Sequence, residues 1–173
     1  RRRHPLEKAS APWCIGSLRT KTGSPRTSMR HNADLFVGIT SWNSAPFLGH
    51  SIDAVKRTTS GARTRIVVLD NESTDESFEV ARDKGVEVIR RRCTQPQALV
   101  RLFNLSQSKF TLLIHSDVVL LSEDWLEICG EQLKENVALV SPEDIGCGPY
   151  TRPWGKGMPE SSFMLFRTDL ARA

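Results

Sequence analysis

The stretch Ile66-Val67-Val68-Leu69-Asp70 constrains the fold more than any other part of the chain. A continuous apolar run bounded by polar residues reads as a strand buried on both faces, as in a parallel sheet. This run ends in a carboxylate. The small-polar turn Asn71-Glu72-Ser73-Thr74 follows, and an amphipathic segment starts near Asp75. In open α/β sheets, ligands bind in the crevice outside the carboxyl ends of the strands. An acid at that place is set to read a ligand; the competing assignment is a turn or helix-cap residue before Ser73.

The same unit recurs along the chain. Leu35 to Thr40 reads as a first buried strand, and Ser44-Ala45-Pro46 as a helix start, with proline suited to the first turn. Phe47, Leu48, Ile52 and Val55 share one face of that helix, and Gly61 ends it. After the Ile66–Leu69 strand, Ser73 or Thr74 is expected to cap the next helix, with Asp75 and Glu76 in its first turn. Gly85 closes that helix and Val86 to Ile89 forms a third strand. A helix over 97–107, a strand over Phe110–Ile114, a helix capped by Ser122 and a strand over Val137–Val140 complete the pattern. Strands alternating with helices predict an α/β fold: a Rossmann-like, mostly parallel sheet flanked by helices.

Charge separates the chain into two parts. Residues 1–34 carry 8 Lys/Arg against 2 acids, whereas residues 35–173 carry 16 Lys/Arg against 18 acids. The first part is rich in Ser, Thr, Pro and Gly without apolar period, and reads as a basic, disordered tail. A basic arm touching phospholipid at a membrane periphery, or nucleic acid, is the sharper alternative. The remainder is not basic, so no nucleic-acid partner is expected. No apolar run has the length of a membrane span. Cys14, Cys93, Cys129 and Cys147 show neither Cys-x-x-Cys nor a disulfide spacing, so the expected setting is reduced and cytoplasmic.

Polar strand ends hold the candidate chemistry. Asp70 and Asp117 close two strands, and Thr40-Ser41-Trp42-Asn43 closes a third. If those strands are neighbours, the groups converge on one crevice suited to a nucleotide. A carboxylate accepts from a base N–H, an indole holds a ring, and a divalent cation on a carboxylate neutralises a diphosphate. Asp75 is read as a first-turn acid and Arg90-Arg91-Arg92 as a solvated face. Residues 145–157 combine aromatic and basic groups in a glycine-rich loop, which either closes on a substrate or is a plain linker.

Gly38-Ile39-Thr40-Ser41-Trp42-Asn43, Val68-Leu69-Asp70-Asn71-Glu72-Ser73-Thr74-Asp75 and Leu113-Ile114-His115-Ser116-Asp117 together resemble the inverting family-two glycosyltransferases, whose catalytic domain has the GT-A fold. Ser161 to Arg167 is similar to the family strand that carries an apolar run into an arginine. The resemblance spans residues 35–173. It implies a metal-dependent enzyme that binds a nucleotide-diphosphate sugar, most simply a UDP-sugar, and transfers the sugar with inversion to a glycan, lipid or other hydroxyl acceptor. It implies nucleotide contacts from Thr40, Trp42, Asn43, Asp70 and Ser116, and a Mn2+ or Mg2+ ion on Asp117 and His115. His115 stands where the family's first metal-motif acid stands, and an imidazole suits Mn2+ better than Mg2+. The family's catalytic base lies beyond the Phe163–Arg167 strand, so the chain reads as a C-terminally incomplete domain, and Glu143, Asp144 and Glu160 are the nearest substitutes. The rival within this resemblance is a nucleotide-binding module without catalysis. A dinucleotide oxidoreductase would need Gly-x-Gly-x-x-Gly after the first strand, which Thr40-Ser41-Trp42-Asn43 does not supply.

Overall fold

Among the described residues, six strands and four α-helices follow one another in the order that the apolar patterning suggests. A computed structural model describes residues 34–143 and 159–173. The strands are β1 (Asp34–Ser41), β2 (Arg63–Asp70), β3 (Glu87–Arg90), β4 (Phe110–His115), β5 (Leu139–Val140) and β6 (Phe163–Arg167). The helices are α1 (Ala45–Thr58), α2 (Ser77–Asp83), α3 (Gln95–Leu105) and α4 (Trp125–Gln132). One sheet runs in the order β3-β2-β1-β4-β6-β5. β1 through β4 are parallel, β6 pairs antiparallel with β4, and β5 pairs antiparallel with β6 at the edge.

Pleating divides each central strand between two cores. Leu35, Val37 and Ile39 of β1 pack with Val68, Leu112 and Ile114 against Leu48, Ile52 and Val55 of α1 and Trp125 and Leu126 of α4. Phe36, Val67, Leu69 and Leu113 face the other way, onto Ala98 and Leu102 of α3. Both faces are covered, which is why these strands read as unbroken apolar runs. Gly38 lets α3 approach closely: a Cβ there would sit 2.9 Å from both Leu102 Cβ and Leu113 Cδ2.

The chain passes from β1 to β2 on one side and reaches β4 on the other, so the strand order reverses at β1. That is the topological switch point where an open sheet forms its crevice. In register, Thr40 lies opposite Leu69 and His115, and Ser41 lies opposite Asp70.

Several boundaries differ from the sequence pattern; the fifth expected strand, for example, starts at Leu139 and not Val137. The helix expected from Ser73 starts at Ser77, because the Ser73 hydroxyl and the Asp75 carboxylate are bound to the β1–α1 loop instead. The helix expected from Gln97 starts at Gln95, where Thr94 and Gln97 form a capping box around Pro96. Ser122 does not cap α4; Asp124 takes the cap position, and Ser122 donates to its carboxylate. The first described strand, β1, includes Asp34, the last residue of the expected tail, which pairs with Arg63 at 3.1 Å. Gly85 takes φ +64° behind α2, the left-handed close its position suggested. The expected basic tail up to residue 33, Asp144 and the whole of the 145–157 loop lie outside the described residues.

Candidate functional site

Two loops leave the sheet at the switch point, and they are tied to one another. Asn43, at φ 48°, accepts from the Thr74 amide through Oδ1 at 2.8 Å, and its own amide donates to Ser73 Oγ at 2.9 Å. The Ser44 amide donates to Ser77 Oγ at 2.8 Å and the Ala45 amide to Asp75 Oδ2 at 3.0 Å. The Asn71 amide donates to the Ser41 carbonyl at 2.8 Å. Burial works against the Asp75 charge, but the Ser77 hydroxyl and the Ala45 and Ser77 amides outweigh it, holding the carboxyl below its usual range. Much of the Asp-Asn-x-Ser-Thr-Asp element is therefore a clasp that fixes the β1–α1 loop.

A crevice of about 360 Å3 opens above this clasp. Its walls include Thr40, Trp42 and Asn43 from the β1 end, Leu69 and Asn71 from the β2 end, and His115, Ser116 and Asp117 from the β4 end. Gln95 and Ala98 of α3 close one side, and Ser44 and Phe47 the other. Trp42 and Phe47 are 64% and 56% exposed, so two aromatic faces meet solvent at this crevice. The Ser116 hydroxyl donates to Ser44 Oγ at 2.7 Å, and its amide donates to the Thr40 carbonyl at 3.0 Å, which locks the β4 end beside β1.

The sequence brought Thr40, Trp42, Asn43, Ser116, His115 and Asp117 together, and the structure places all six around one crevice. Asp70 is the exception. The pleat that turns Leu69 toward α3 turns Asp70 to the opposite face, where it is fully buried. Its Oδ2 accepts from the Ser73 amide at 3.2 Å and lies 3.5 Å from Arg90 Nε, while Oδ1 has no partner. Arg90 also donates to the Ser73 carbonyl at 2.8 Å and lies over the Phe78 ring. It thus brackets this loop while staying exposed to solvent. The neighbour Asn71 reaches the crevice instead. Its Oδ1 accepts from the Cys93 amide at 2.7 Å, which leaves Nδ2 with no acceptor among the described residues. Sequence reading passed over Asn71; the signal was period two, since a residue one place beyond Asp70 must face the other way.

His115 is half-buried, and its Nε2 lies 2.5 Å from Gln95 Nε2. Burial lowers its pKa, against the opposing charges of Asp117 and Glu160. Asp117 is exposed and is the one acid that lines the crevice among the described residues. Among the described residues, no group of three or more His, Cys, Asp or Glu side chains comes together as a metal cage. Glu160 begins the approach to β6: its Oε1 accepts from the Ser162 amide at 3.3 Å, and the Ser162 carbonyl accepts from the His115 amide. Glu143 bridges to Pro159 and does not line the crevice. A larger, open cleft of about 770 Å3 lies on the far side of the clasp, lined by Glu72, Asp75, Glu79 and Arg90 among others. Three carboxylates against one guanidinium make it a poor seat for a phosphate.

A parallel sheet closed by antiparallel β6, with a polar crevice over β2, β1 and β4, is the layout of a GT-A nucleotide-binding domain. Comparison with known families agrees: residues 36–172 match glycosyl transferase family 2, and the chain belongs to that family. Among curated proteins, none matches in sequence. Solved structures share the fold. The mannosyltransferase PcManGT from Pyrobaculum calidifontis, in complex with GDP-Man and Mn2+, superposes with a TM-score of 0.64 at 16% identity, over 82% of this chain and 46% of its own. Glucosyl-3-phosphoglycerate synthase from Mycobacterium tuberculosis gives 0.60 at 18% identity, over 79% and 58%. The same synthase with Mn2+, UDP and glucosyl-3-phosphoglycerate gives 0.54 at 22%, over 63% and 43%. The chain thus spans about half the length of these enzymes.

Proposed function

We propose that this domain binds a nucleotide-diphosphate sugar in the crevice over β2, β1 and β4, and transfers the sugar with inversion to an acceptor hydroxyl. The observation that carries the reading is the convergence of Trp42, Asn71, Ser116 and Asp117 at the switch point of a family 2 chain. The base stacks on the exposed Trp42 face, an interaction worth about 1–3 kcal/mol per base. Asn71 Nδ2 donates to a base carbonyl, which both uracil and guanine present. UDP and GDP are therefore the nucleotides to test, with a UDP-sugar as the first candidate. The diphosphate lies toward Ser116 and Asp117.

Asp117 suits a divalent cation that is shared with the substrate. A hard cation is commonly held by one or two carboxylates plus phosphate oxygens, so a single exposed carboxylate beside the diphosphate fits Mn2+ or Mg2+. When bound, that ion would neutralise charge on the departing diphosphate. The chain's residues orient the sugar nucleotide and leave one face of the anomeric carbon open. An acceptor oxygen, losing its proton to a carboxylate, forms the new bond to that carbon as the bond to the diphosphate oxygen breaks. Glu160 is the acid we assign to that base, because it holds the Ser162 amide at 3.3 Å and the Ser162 carbonyl accepts from the His115 amide at the crevice. Glu143 and Asp144 are its alternatives.

One observation favours a second reading, a nucleotide-binding module without transfer: no acid besides Asp117 lines the crevice among the described residues. A screen of UDP-glucose, other UDP-sugars and GDP-mannose with Mn2+, following sugar release and transfer, separates the two. Turnover lost in Asp117→Ala and Glu160→Ala supports the enzyme. Nucleotide binding without turnover supports the module, and neither binding nor turnover refutes both.

A further inference from the structure

Two aromatic rings meet the crevice, and the nucleobase takes only one of them. The other is Phe47, the third residue of α1, which lines the crevice and is 56% exposed. It belongs to neither core, and no second ring or cation stacks on it among the described residues. A phenyl ring left in water forgoes the stabilisation that burial brings. The helix start does not need it: Pro46 suits the first turn, and the Phe47 amide already donates to the Ser44 carbonyl at 2.9 Å.

The backbone directs this ring over the strand ends. In an α-helix each Cα–Cβ bond tilts toward the N-terminus, so a long side chain covers the turn before its own Cα. The turn before Phe47 holds Ser44, whose Oγ accepts from the Ser116 hydroxyl at 2.7 Å. The ring therefore belongs to the junction of the β1 and β4 ends, on the α1 side of the sheet. Asn71 lines the crevice from the β2 end, and Gln95 and Ala98 line it from α3 on the opposite side. A nucleotide with its base at Asn71 and its diphosphate toward Ser116 crosses from one wall to the other. The group attached beyond that diphosphate is the sugar.

We propose that the Phe47 ring is the platform on which the hexopyranose of the donor rests, and so a specificity-determining contact for the sugar. The inference rests on the nucleotide-sugar reading above and adds the sugar's place to it. The face of an aromatic ring is negative, so it gives a phosphate nothing and attracts weakly positive C–H bonds. A hexopyranose turns such C–H bonds to one face and its hydroxyls to the rim. An apolar wall with a few polar groups around it is the usual make-up of a small-molecule site. A hydroxyl turned onto the covered face would lift the sugar off the ring, so Phe47 selects among epimers.

Two measurements on the full chain test this, with UDP-glucose set against UDP and GDP-mannose against GDP, all in Mn2+. Calorimetry reads the affinities. In Phe47→Ala, UDP and GDP should bind within twofold of native. The sugar nucleotide that native protein binds more tightly should weaken at least fivefold, and Phe47→Tyr, which keeps a ring, should weaken it less. Isotope-filtered NOE spectra on native protein need no variant to fold, and Phe47→Tyr identifies the Phe47 signals among the seven phenylalanines. Those signals should show contacts to sugar protons and none to base protons. Equal weakening of the sugar nucleotide and its diphosphate in Phe47→Ala would overturn the inference. So would affinities that the substitution leaves unchanged, or ring contacts confined to the base or ribose; each leaves the nucleotide reading standing. Failure of native protein to bind UDP or GDP at all would remove both.

Discussion

Replacing Asp70 by alanine should damage the fold and spare the crevice. Asp70 is fully buried, and its Oδ2 accepts a charge-assisted bond from the Ser73 amide at 3.2 Å. A hydrogen bond to a charged group contributes about 1.5–3 kcal/mol. The Arg90 guanidinium, 3.5 Å away and 46% exposed, adds less than about 1 kcal/mol after solvent screening. Asp70→Ala should therefore lose about 2–3 kcal/mol, which for a domain of this size is a fall in thermal midpoint of roughly 10 °C. Below that midpoint, UDP affinity should stay within about threefold of native, since the carboxylate faces away from the crevice. Asn71→Ala should do the reverse: it loses one bond to the Cys93 amide, about 1 kcal/mol, while nucleotide affinity falls about tenfold. Urea unfolding paired with calorimetric titration reads both effects in one set of samples. An unchanged midpoint with tenfold weaker UDP binding in Asp70→Ala would refute the reasoning and return the base-reading role to Asp70.

Three further outcomes follow from the packing and the charges. Gly38→Ala should destabilise the domain by about 1–3 kcal/mol in urea unfolding, because its Cβ would meet Leu102 and Leu113 at 2.9 Å. The Asp75 carboxyl is held below its ordinary value of 3.8, so its contribution is present above that pH and lost as pH falls through the lower folded value. Asp75→Asn should accordingly flatten the acid limb of the stability profile measured by denaturation from pH 5 to pH 2. We propose that residues 1–33 form a part separate from the domain. Their deletion should leave the thermal midpoint within about 2 °C, and a larger drop would place that segment on the domain.

Patterning made the sheet legible because its central strands are buried on both faces. Leu35–Ile39, Ile66–Leu69 and Phe110–Ile114 are apolar at every position except Gly38 and Thr111, and no helix can hide such a run as simply. Helix starts were harder. Ser73, Asp75 and Ser122 all carry cap chemistry, but the first two are used between loops, and local sequence does not show which partner a hydroxyl or carboxylate will take. The site was partly legible for the same reason. Thr40, Ser116 and Asp117 sit at ends that strand length alone predicts. Choosing Asp70 over Asn71 followed charge, whereas pleat parity puts Asn71 at the crevice wall. Gln95 was invisible from local sequence, since its place at the crevice exists only once α3 packs over Gly38 and brings it beside His115.

The central claim is a place: a nucleoside diphosphate lies over the ends of β2, β1 and β4. Amide chemical-shift mapping with UDP and Mn2+ tests it most directly. The account predicts the largest shifts at Thr40 to Ser44, Asn71, Gln95 and His115 to Asp117, all lost in Asp117→Ala. Shifts concentrated instead on Glu72 to Glu79 and Arg90, with His115 to Asp117 unmoved, would contradict it.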